Sequence, residues 1–480
     1  MARDYETKGR RDVEVLIVGA GPTGLTLAVD LARRGVRAAI VERGASLFPG
    51  SRGKGLQPRT MEVFDDLGVV DRVLASGGPY PVGLIWRDGA PQGEQSMFDA
   101  GEPTEAEPYQ GPWMLPQWRT QEILLARLRD LGGDVELARE LTAIAPDAGG
   151  VTASFASGPP IRAQYVVAAD GGRSTVRHRT GIAVSGETID PRSTLVADVR
   201  MRSLDRDHWH MFPPRDDTSG FLAICPLPGT EDFQLVAQFP EGATVDASLD
   251  GIRALVATRT HLEASDVTAL RWASNFRPRL AIAERFRTGR VFLAGDAAHV
   301  HSPAGGQGLN TSIQDAYNLG WKLGAALRDG ADAGLLDTYE AERRPVAEDV
   351  LALSMGVHRG SVRRGRATEQ LDLDYRDSPL AVETRAGLRE DALHAGDRAP
   401  DGRRGGVHLF DLFRGPHWTL LLVDTDAPVP AIGARLARIP AYDAYGRGIF
   451  LVRPDGYVGW AGTEADGLAT YAARVGLRVG

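Results

Sequence analysis

Residues Val13 to Val18 form a nearly continuous apolar run, the pattern of a parallel strand buried on both faces. Gly19-Ala20-Gly21-Pro22-Thr23-Gly24 follows at once and matches G-x-G-x-x-G. Leu25 to Arg34 then sets Leu27, Ala28 and Leu31 at helical spacing, and Gly35 stands where a helix C-terminal cap belongs. Val36 to Val41 reads as a second strand ending at Glu42. This is a β-α-β unit. Its first glycine permits the tight turn, and its second lets backbone approach a pyrophosphate. The third allows helix to pack on strand, while the helix N-terminus offers free N–H donors and a positive dipole end. Glu42 is placed to accept hydrogen bonds from both ribose hydroxyls. The unit implies a dinucleotide, and by itself it leaves FAD and NAD equally open.

The remaining composition narrows the setting. At roughly 100–200 residues per domain, 480 residues suggest two to four domains. The balance is acidic, with a net charge of −8, and the arginines are scattered, so a basic nucleic-acid surface is excluded. Lys8, Lys54 and Lys322 are the only lysines. Cys225 is the only cysteine, which excludes an intrachain disulfide and CxxC chemistry and fits a reducing cytoplasm. No stretch approaches the roughly 18 apolar residues of a membrane span, and Met1 to Asp12 lacks the apolar segment of a secretory signal. The expectation is a cytoplasmic protein without nucleic-acid or membrane partners.

Along the chain, Pro79 to Pro116 reads as an irregular excursion rich in Pro, Gly and acidic residues. Glu122 to Leu131 reads as a helix, and Val151 to Phe155 and Tyr165 to Ala169 as strands. Leu195 to Phe239 is β-rich, with alternation in Phe233 to Phe239. Val291 to Ala294 is a short buried strand before the helix Gly308 to Leu327. A polar connector follows from about Asp372, then a last strand pattern through Trp418–Val423, Ile449–Val452 and Tyr457–Trp460.

A second constellation decides the cofactor. Val291-Phe-Leu-Ala-Gly295-Asp296-Ala-Ala-His299 sets an aspartate just after a buried strand. Pro303 and Gly305-Gly306-Gln307-Gly308-Leu309-Asn310 lead from it into a helix. Between the two constellations lies Ala169-Asp170-Gly171-Gly172-Arg173-Ser174. Here the sequence resembles the class A (single-component) flavoprotein monooxygenases, such as the para-hydroxybenzoate and phenol hydroxylases. The resemblance covers most of residues 13–360, including Tyr339-Glu-Ala-Glu-Arg-Arg-Pro345. It extends into Leu451-Val-Arg-Pro-Asp-Gly-Tyr-Val458, which looks like the thioredoxin-like tail of the polyketide-hydroxylase branch. With no cysteine there, that tail would be redox-inert, with a structural or oligomer-related role.

The resemblance implies an α/β fold with a Rossmann-like FAD-binding domain of the glutathione-reductase type. That domain would comprise residues 1–80, 111–185 and 285–371. Residues 81–110 and 186–284 would make a β-rich substrate domain, 372–394 a connector, and 395–480 the thioredoxin-like domain. FAD would be held by Gly19, Gly21, Pro22, Thr23, Gly24, Glu42 and Arg43 at its ADP end, with Asp296, after Gly295, on the ribityl chain. Gly306, Gln307, Gly308, Leu309 and Asn310 would present backbone amides to the isoalloxazine ring. Asp170 matches the family's Asp-Gly motif, associated with FAD and nicotinamide. Arg52 matches an arginine near the flavin and its pyrophosphate. Arg119 falls where relatives place a flavin-contacting Gln or Arg, and Pro303 beside the reactive edge. The pair His299-x-His301 has no third ligand nearby, so no metal is expected.

The implied reaction is hydroxylation of an aromatic, polyketide-type substrate. NADPH or NADH would reduce FAD, and O₂ would give a flavin C4a-hydroperoxide that transfers one oxygen atom. The β-rich segment offers His208, Trp209, His210, Met211, Phe212 and Phe221 as pocket candidates, with no base assigned. Baeyer–Villiger insertion, epoxidation and rifamycin-type antibiotic inactivation are alternative outcomes on the same cofactor. A GDI-like binding protein is the non-catalytic alternative, opposed by the joint presence of Gly21, Glu42 and Asp296. A monomer or homodimer is expected.

Overall fold

The computed structural model describes residues 11–98, 101–214, 220–302 and 305–480. Its fold is α/β, and three sheets organise it. In the first, Arg11–Val18 is the central strand, parallel to Ala38–Val41 on one side and Ile161–Ala168 on the other. Val291–Leu293 adds a further parallel strand beyond Ile161–Ala168. Helix Pro22–Arg33 crosses from the first strand to the second. The Arg11–Val18 strand is buried from Val13 onward, as its nearly continuous apolar pattern demands.

Register explains why distant motifs meet. Val18 pairs with Ala168 and with Val41, and Ala168 pairs with Leu293. Four strands therefore end together, and Gly19, Glu42, Ala169-Asp170 and Ala294-Gly295 emerge side by side. In open α/β sheets the carboxyl ends of the strands are where ligands bind. Helix Gly308–Gly324 packs against Pro22–Arg33 so closely that a Cβ on Gly320 would lie 2.1 Å from Asp30 Oδ2.

The second sheet has seven strands, in the order Val267–Phe276, Thr194–Met201, Asp232–Gln238, Leu222–Pro226, His208–Phe212, Val82–Arg87 and Ala90–Gln95. One face packs Leu195, Ala197, Leu222, Ile224 and Leu235 against Ile252 and Val256 of helix Leu249–Arg259. The opposite face turns toward the first sheet's loops. Part of the Pro79–Pro116 stretch belongs here rather than to an irregular excursion. Asp88 and Gly89 both take positive φ, 51° and 77°, and join two antiparallel strands. Asp-Gly at a two-residue hairpin turn is the local signal for that geometry.

The third sheet is mixed and five-stranded: Val382–Glu383, Val458–Gly462, Gly448–Val452, Thr419–Val423 and Arg435–Ile439. The 372–394 segment, expected as a connector, thus supplies an edge strand, with Val382 beside Trp460. Its Leu380 is buried in the tail's own core. That core also takes in Trp321 from the flavin-motif helix, edge-on to Trp418 at 5.4 Å.

Candidate active site

The glycine turn has the geometry its composition requires. Gly19 has φ +106°, and a Cβ there would lie 2.3 Å from the Ala169 carbonyl oxygen. A Cβ on Gly24 would lie 2.0 Å from the Gly19 oxygen. At Gly21, by contrast, a Cβ would meet nothing within 4 Å, so this backbone faces open space. Helix Pro22–Arg33 starts there with Pro22 at its first position and no side-chain cap on its orphan N–H groups. Thr23 stands beside Gly295, where an added Cβ would be 2.6 Å from its hydroxyl. Glu42 accepts hydrogen bonds from Ala20 N at 3.0 Å and Gly44 N at 2.9 Å, tying the second strand's end to the turn.

Positive charge gathers at the same crevice. Arg43, Arg52 and Arg173 are exposed, and none of them is in a close ion pair among the described residues. Burial lowers the Arg52 pKa, Asp296 opposes that, and Arg173 and Arg43 reinforce it. The Arg52 guanidinium lies over the rings of Phe48 and Trp272, at 5.1 and 5.8 Å. Asp296 is solvent-accessible yet closely surrounded by protein. Desolvation raises its pKa, with His299 and Arg52 opposing.

Asp170 uses one oxygen structurally. Its Oδ2 accepts from Thr175 N at 2.7 Å and Val176 N at 3.2 Å, at the start of helix Thr175–Thr180. Its Oδ1 is buried without a hydrogen-bond partner, and burial raises its pKa. A bare Gly21, an uncapped helix, three guanidinium groups outside any close ion pair, an orphaned Asp170 oxygen and an accessible Asp296 suit an anionic dinucleotide with a polyhydroxyl chain. The residues present fit FAD.

The ring segment is held in place by its side chains. Asn310 Oδ1 accepts from Gln57 N at 2.8 Å, while its Nδ2 donates to Gly55 O and Gly306 O, each at 2.9 Å. Gln307 turns away, donating to Gly305 O and Thr368 O and accepting from Gln370. Gly306 has φ +64°, Gly308 opens the helix Gly308–Gly324, and Leu309 packs against Gly53. Pro303 lies outside the described residues.

Arg119 is placed differently from the other candidates. It pairs with Glu122 at 2.7 Å and lies over Trp118 at 4.7 Å. Gln117, two residues earlier, accepts from Gly53 N at 3.2 Å and is the side chain this helix turns toward the Arg52 loop. Sequence reading missed Gln117, although its place at the helix head was visible.

Asp315 was also missed. Its Oδ2 accepts from Gly295 N at 3.0 Å and meets His299 Nε2 at 2.6 Å, while Oδ1 accepts from Arg343 Nε at 2.7 Å. His299 Nδ1 meets His301 Nε2 at 2.8 Å. Burial and the neighbouring His299 hold the His301 pKa well below the usual histidine range, and its Nδ1 has no partner. These contacts lock the turn that carries Asp296. The pocket candidates divide by strand alternation: His210 and Phe212 point into the helix-covered layer, with Trp86 Nε1 donating to His210 Nδ1 at 3.1 Å. Trp209 and Met211 take the opposite face. His208 is held by Asp205 at 2.8 Å, and Phe221 is exposed.

Comparison with known proteins agrees with this geometry. Residues 12–354 match the family described as FAD binding domain, and residues 393–476 match aromatic-ring hydroxylase, C-terminal. A flavin-dependent monooxygenase of Mycobacteroides abscessus is 45% identical over 475 residues, covering 96% of this chain and 99% of the relative. A rifampicin monooxygenase of Streptomyces venezuelae is 38% identical over 342 residues, covering 70% of this chain and 69% of the relative. The solved structure of aklavinone-11 hydroxylase with FAD and aklavinone superposes with a TM-score of 0.83 at 29% identity. It covers 97% of this chain and 99% of that one. With both family matches in chain order and the dinucleotide site lying within the first of them, the chain belongs to the FAD-dependent aromatic-ring monooxygenases.

Proposed function

We propose that this enzyme hydroxylates an aromatic, polyketide-type substrate in the cytoplasm, as a monomer or homodimer, with NADPH or NADH as transient reductant. One observation carries the reading: the ends of four strands and the Gly308–Gly324 helix converge at one place, beside the face of the seven-stranded sheet that turns toward the first sheet's loops. FAD supplies the oxygen-activating chemistry when bound. The chain's residues bind and orient it. Gly19 to Gly24, Glu42 and Arg43 take the ADP end, with Arg52 and Arg173 toward the pyrophosphate and Asp170 and Asp296 on polar groups of the cofactor. Backbone N–H groups of residues 306–310, at an uncapped helix N-terminus, stabilise negative charge on the ring. Pro303 is placed at the ring edge by motif alone, and Arg119 supports the helix head.

The sheet face carrying Trp209, Met211 and Ala223 is the substrate wall, since the other face is filled by helix Leu249–Arg259. The experiment is a substrate screen on the purified yellow protein, following NAD(P)H consumption against product mass. Substrate-accelerated consumption with a product one oxygen atom heavier is expected. A protein that stays colourless with added FAD, or oxidises NAD(P)H equally fast with and without every aromatic ligand tested and yields no oxygenated product, sinks the reading. The rifampicin-named relative supports a second outcome on the same chemistry, inactivation of an aromatic antibiotic.

A further inference from the structure

The sheet face turned toward the FAD-binding domain carries charged groups that the protein itself does not satisfy. Asp198 pairs across the sheet with Gln234, and Gln234 with Cys225, so these side chains share that face. Asp198 is 0% exposed and neither carboxylate oxygen has a hydrogen-bond partner. Across from it, the loop following Gly50 contributes Ser51, 0% exposed, and Lys54, 8% exposed. The Ser51 hydroxyl and the Lys54 ammonium also lack hydrogen-bond partners. Ser51 favours the ionised form of Asp198 through a loose hydroxyl contact and Lys54 through its charge, and neither closes to a well-formed hydrogen bond. Lys54 Nζ lies 4.4 Å from the ring centroid of Trp209, whose buried indole N–H also donates to nothing.

A buried ion pair built for stability closes to contact and fills its remaining bonds, because burying charge otherwise costs several kcal/mol. This cluster does neither. Its position explains what could complete it. Arg52, between Ser51 and Lys54, faces Asp296, while Gly53 packs on Leu309 of the ring segment. The loop therefore shows one side to the cofactor cleft and the other to the sheet.

We propose that Ser51, Lys54 and Asp198 form the receptor for an ionisable hydroxyl of the aromatic substrate, selecting molecules with a phenol or enol at the end that enters the sheet face. The inference rests on the aromatic-substrate reading above. The hydroxyl donates to Asp198 and accepts from Lys54. Its proton passes to an Asp198 oxygen, breaking the substrate O–H bond and forming a carboxyl O–H bond. The charge left on the substrate oxygen is met by the Lys54 ammonium. An oxyanion there raises electron density in the ring to be oxidised.

The test uses FAD-loaded protein and two dyes, a hydroxyanthraquinone with one free β-phenol and its O-methyl ether. Wild-type protein is expected to bind the phenol at least tenfold more tightly than the ether, with the spectrum of the bound dye shifted to its phenolate form. Lys54→Met and Asp198→Asn should each bring the two affinities within about twofold and abolish the phenolate spectrum. Ether binding, flavin content and melting temperature should not fall, and Asp198→Glu should restore part of the preference. Equal binding of the two dyes by wild type overturns the receptor while leaving the aromatic-substrate reading intact, as does a preference that survives both variants. Variants that unfold or lose flavin overturn it in favour of a structural pair. Wild-type protein that binds neither dye overturns the aromatic-substrate reading, and the receptor with it.

Discussion

Arg453 and Glu342 meet through two guanidinium nitrogens and two carboxylate oxygens, at 2.8 and 2.9 Å, and both side chains are fully buried. Lys322 adds a contact to Glu342 at 2.6 Å, and Arg453 a second to Asp455 at 2.6 Å. Trp321 Nε1 donates to Asp455 at 2.9 Å. The Tyr339–Pro345 motif and the Leu451–Val458 motif are thus two halves of one buried network, anchored on the flavin-motif helix. The tail is part of the cofactor domain's support.

Breaking one partner of such a pair strands a buried charge. Arg453→Met and Glu342→Gln should each destabilise the folded protein by about 3–5 kcal/mol, read by denaturant unfolding. Burial alone would raise the Glu342 pKa, but Arg453 and Lys322 hold it well below the usual carboxylate range. A depressed folded-state pKa stabilises above the unfolded value, about 4.3, and that contribution is lost as pH falls below it. Wild type should therefore lose more stability on acidification than Glu342→Gln. Equal acid sensitivity would remove Glu342 from the account.

Removing the chain after about residue 395 also removes Arg398, Arg453 and Asp455. That leaves the buried Lys322–Glu342 pair without Arg453 and the buried Arg59–Glu62 pair without Arg398 and the Asp455 carbonyl. The truncated chain should be markedly less stable, with weakened FAD retention following from displacement of the Gly308–Gly324 helix. A truncation that melts with the full chain would contradict the support role.

Two glycines of the turn should separate fold from cofactor. Gly24→Ala forces a Cβ to 2.0 Å from backbone oxygen, so it should lower the stability of the FAD-free protein. Gly21→Ala meets no atom within 4 Å. It should leave the FAD-free protein's melting temperature unchanged while weakening FAD binding at least tenfold. Normal FAD affinity in Gly21→Ala would show that the pyrophosphate does not approach there.

Asp296 has no hydrogen-bond partner among the described residues, so it contributes little to the fold on its own. Asp296→Ala should strongly reduce flavin content while the protein remains folded by circular dichroism. Unchanged flavin content would count against its contact with the ribityl chain.

Asp198 should behave in the opposite sense to Glu342. Burial raises its pKa to about 6, with Ser51, Lys54 and Arg271 lowering it and Asp232 raising it. A raised folded-state pKa means stability falls as pH rises between about 4 and 6, and the full cost is present above that. Asp198→Asn should be more stable than wild type at neutral pH by on the order of 2 kcal/mol, and the gain should vanish near pH 4. A pH-independent difference between the two proteins would refute the assignment.

Much of the cofactor site was legible because its requirements are local. Gly19 must tolerate φ +106°, and Gly24 must admit a carbonyl at its α-carbon, so few other residues can stand there. The hairpin at Asp88-Gly89 carried an equally local signal, obscured by the Pro- and Gly-rich stretch around it. Val382–Glu383 was invisible for a different reason: a two-residue edge strand has no period to read.

The sequence by itself determined the β-α-β unit, the cofactor class and the family, because each rests on short motifs whose backbone or chemistry admits few residues. Only the tertiary structure decided which distant residues meet. Strand register brings Asp170 and Gly295 to the end of the first strand, and alternation divides Trp209 and Met211 from His210 and Phe212. Packing joins Glu342 to Arg453 and leaves Asp198 facing Lys54. Such pairings are set by the packing of sheets and helices far apart in the chain, which no local pattern encodes.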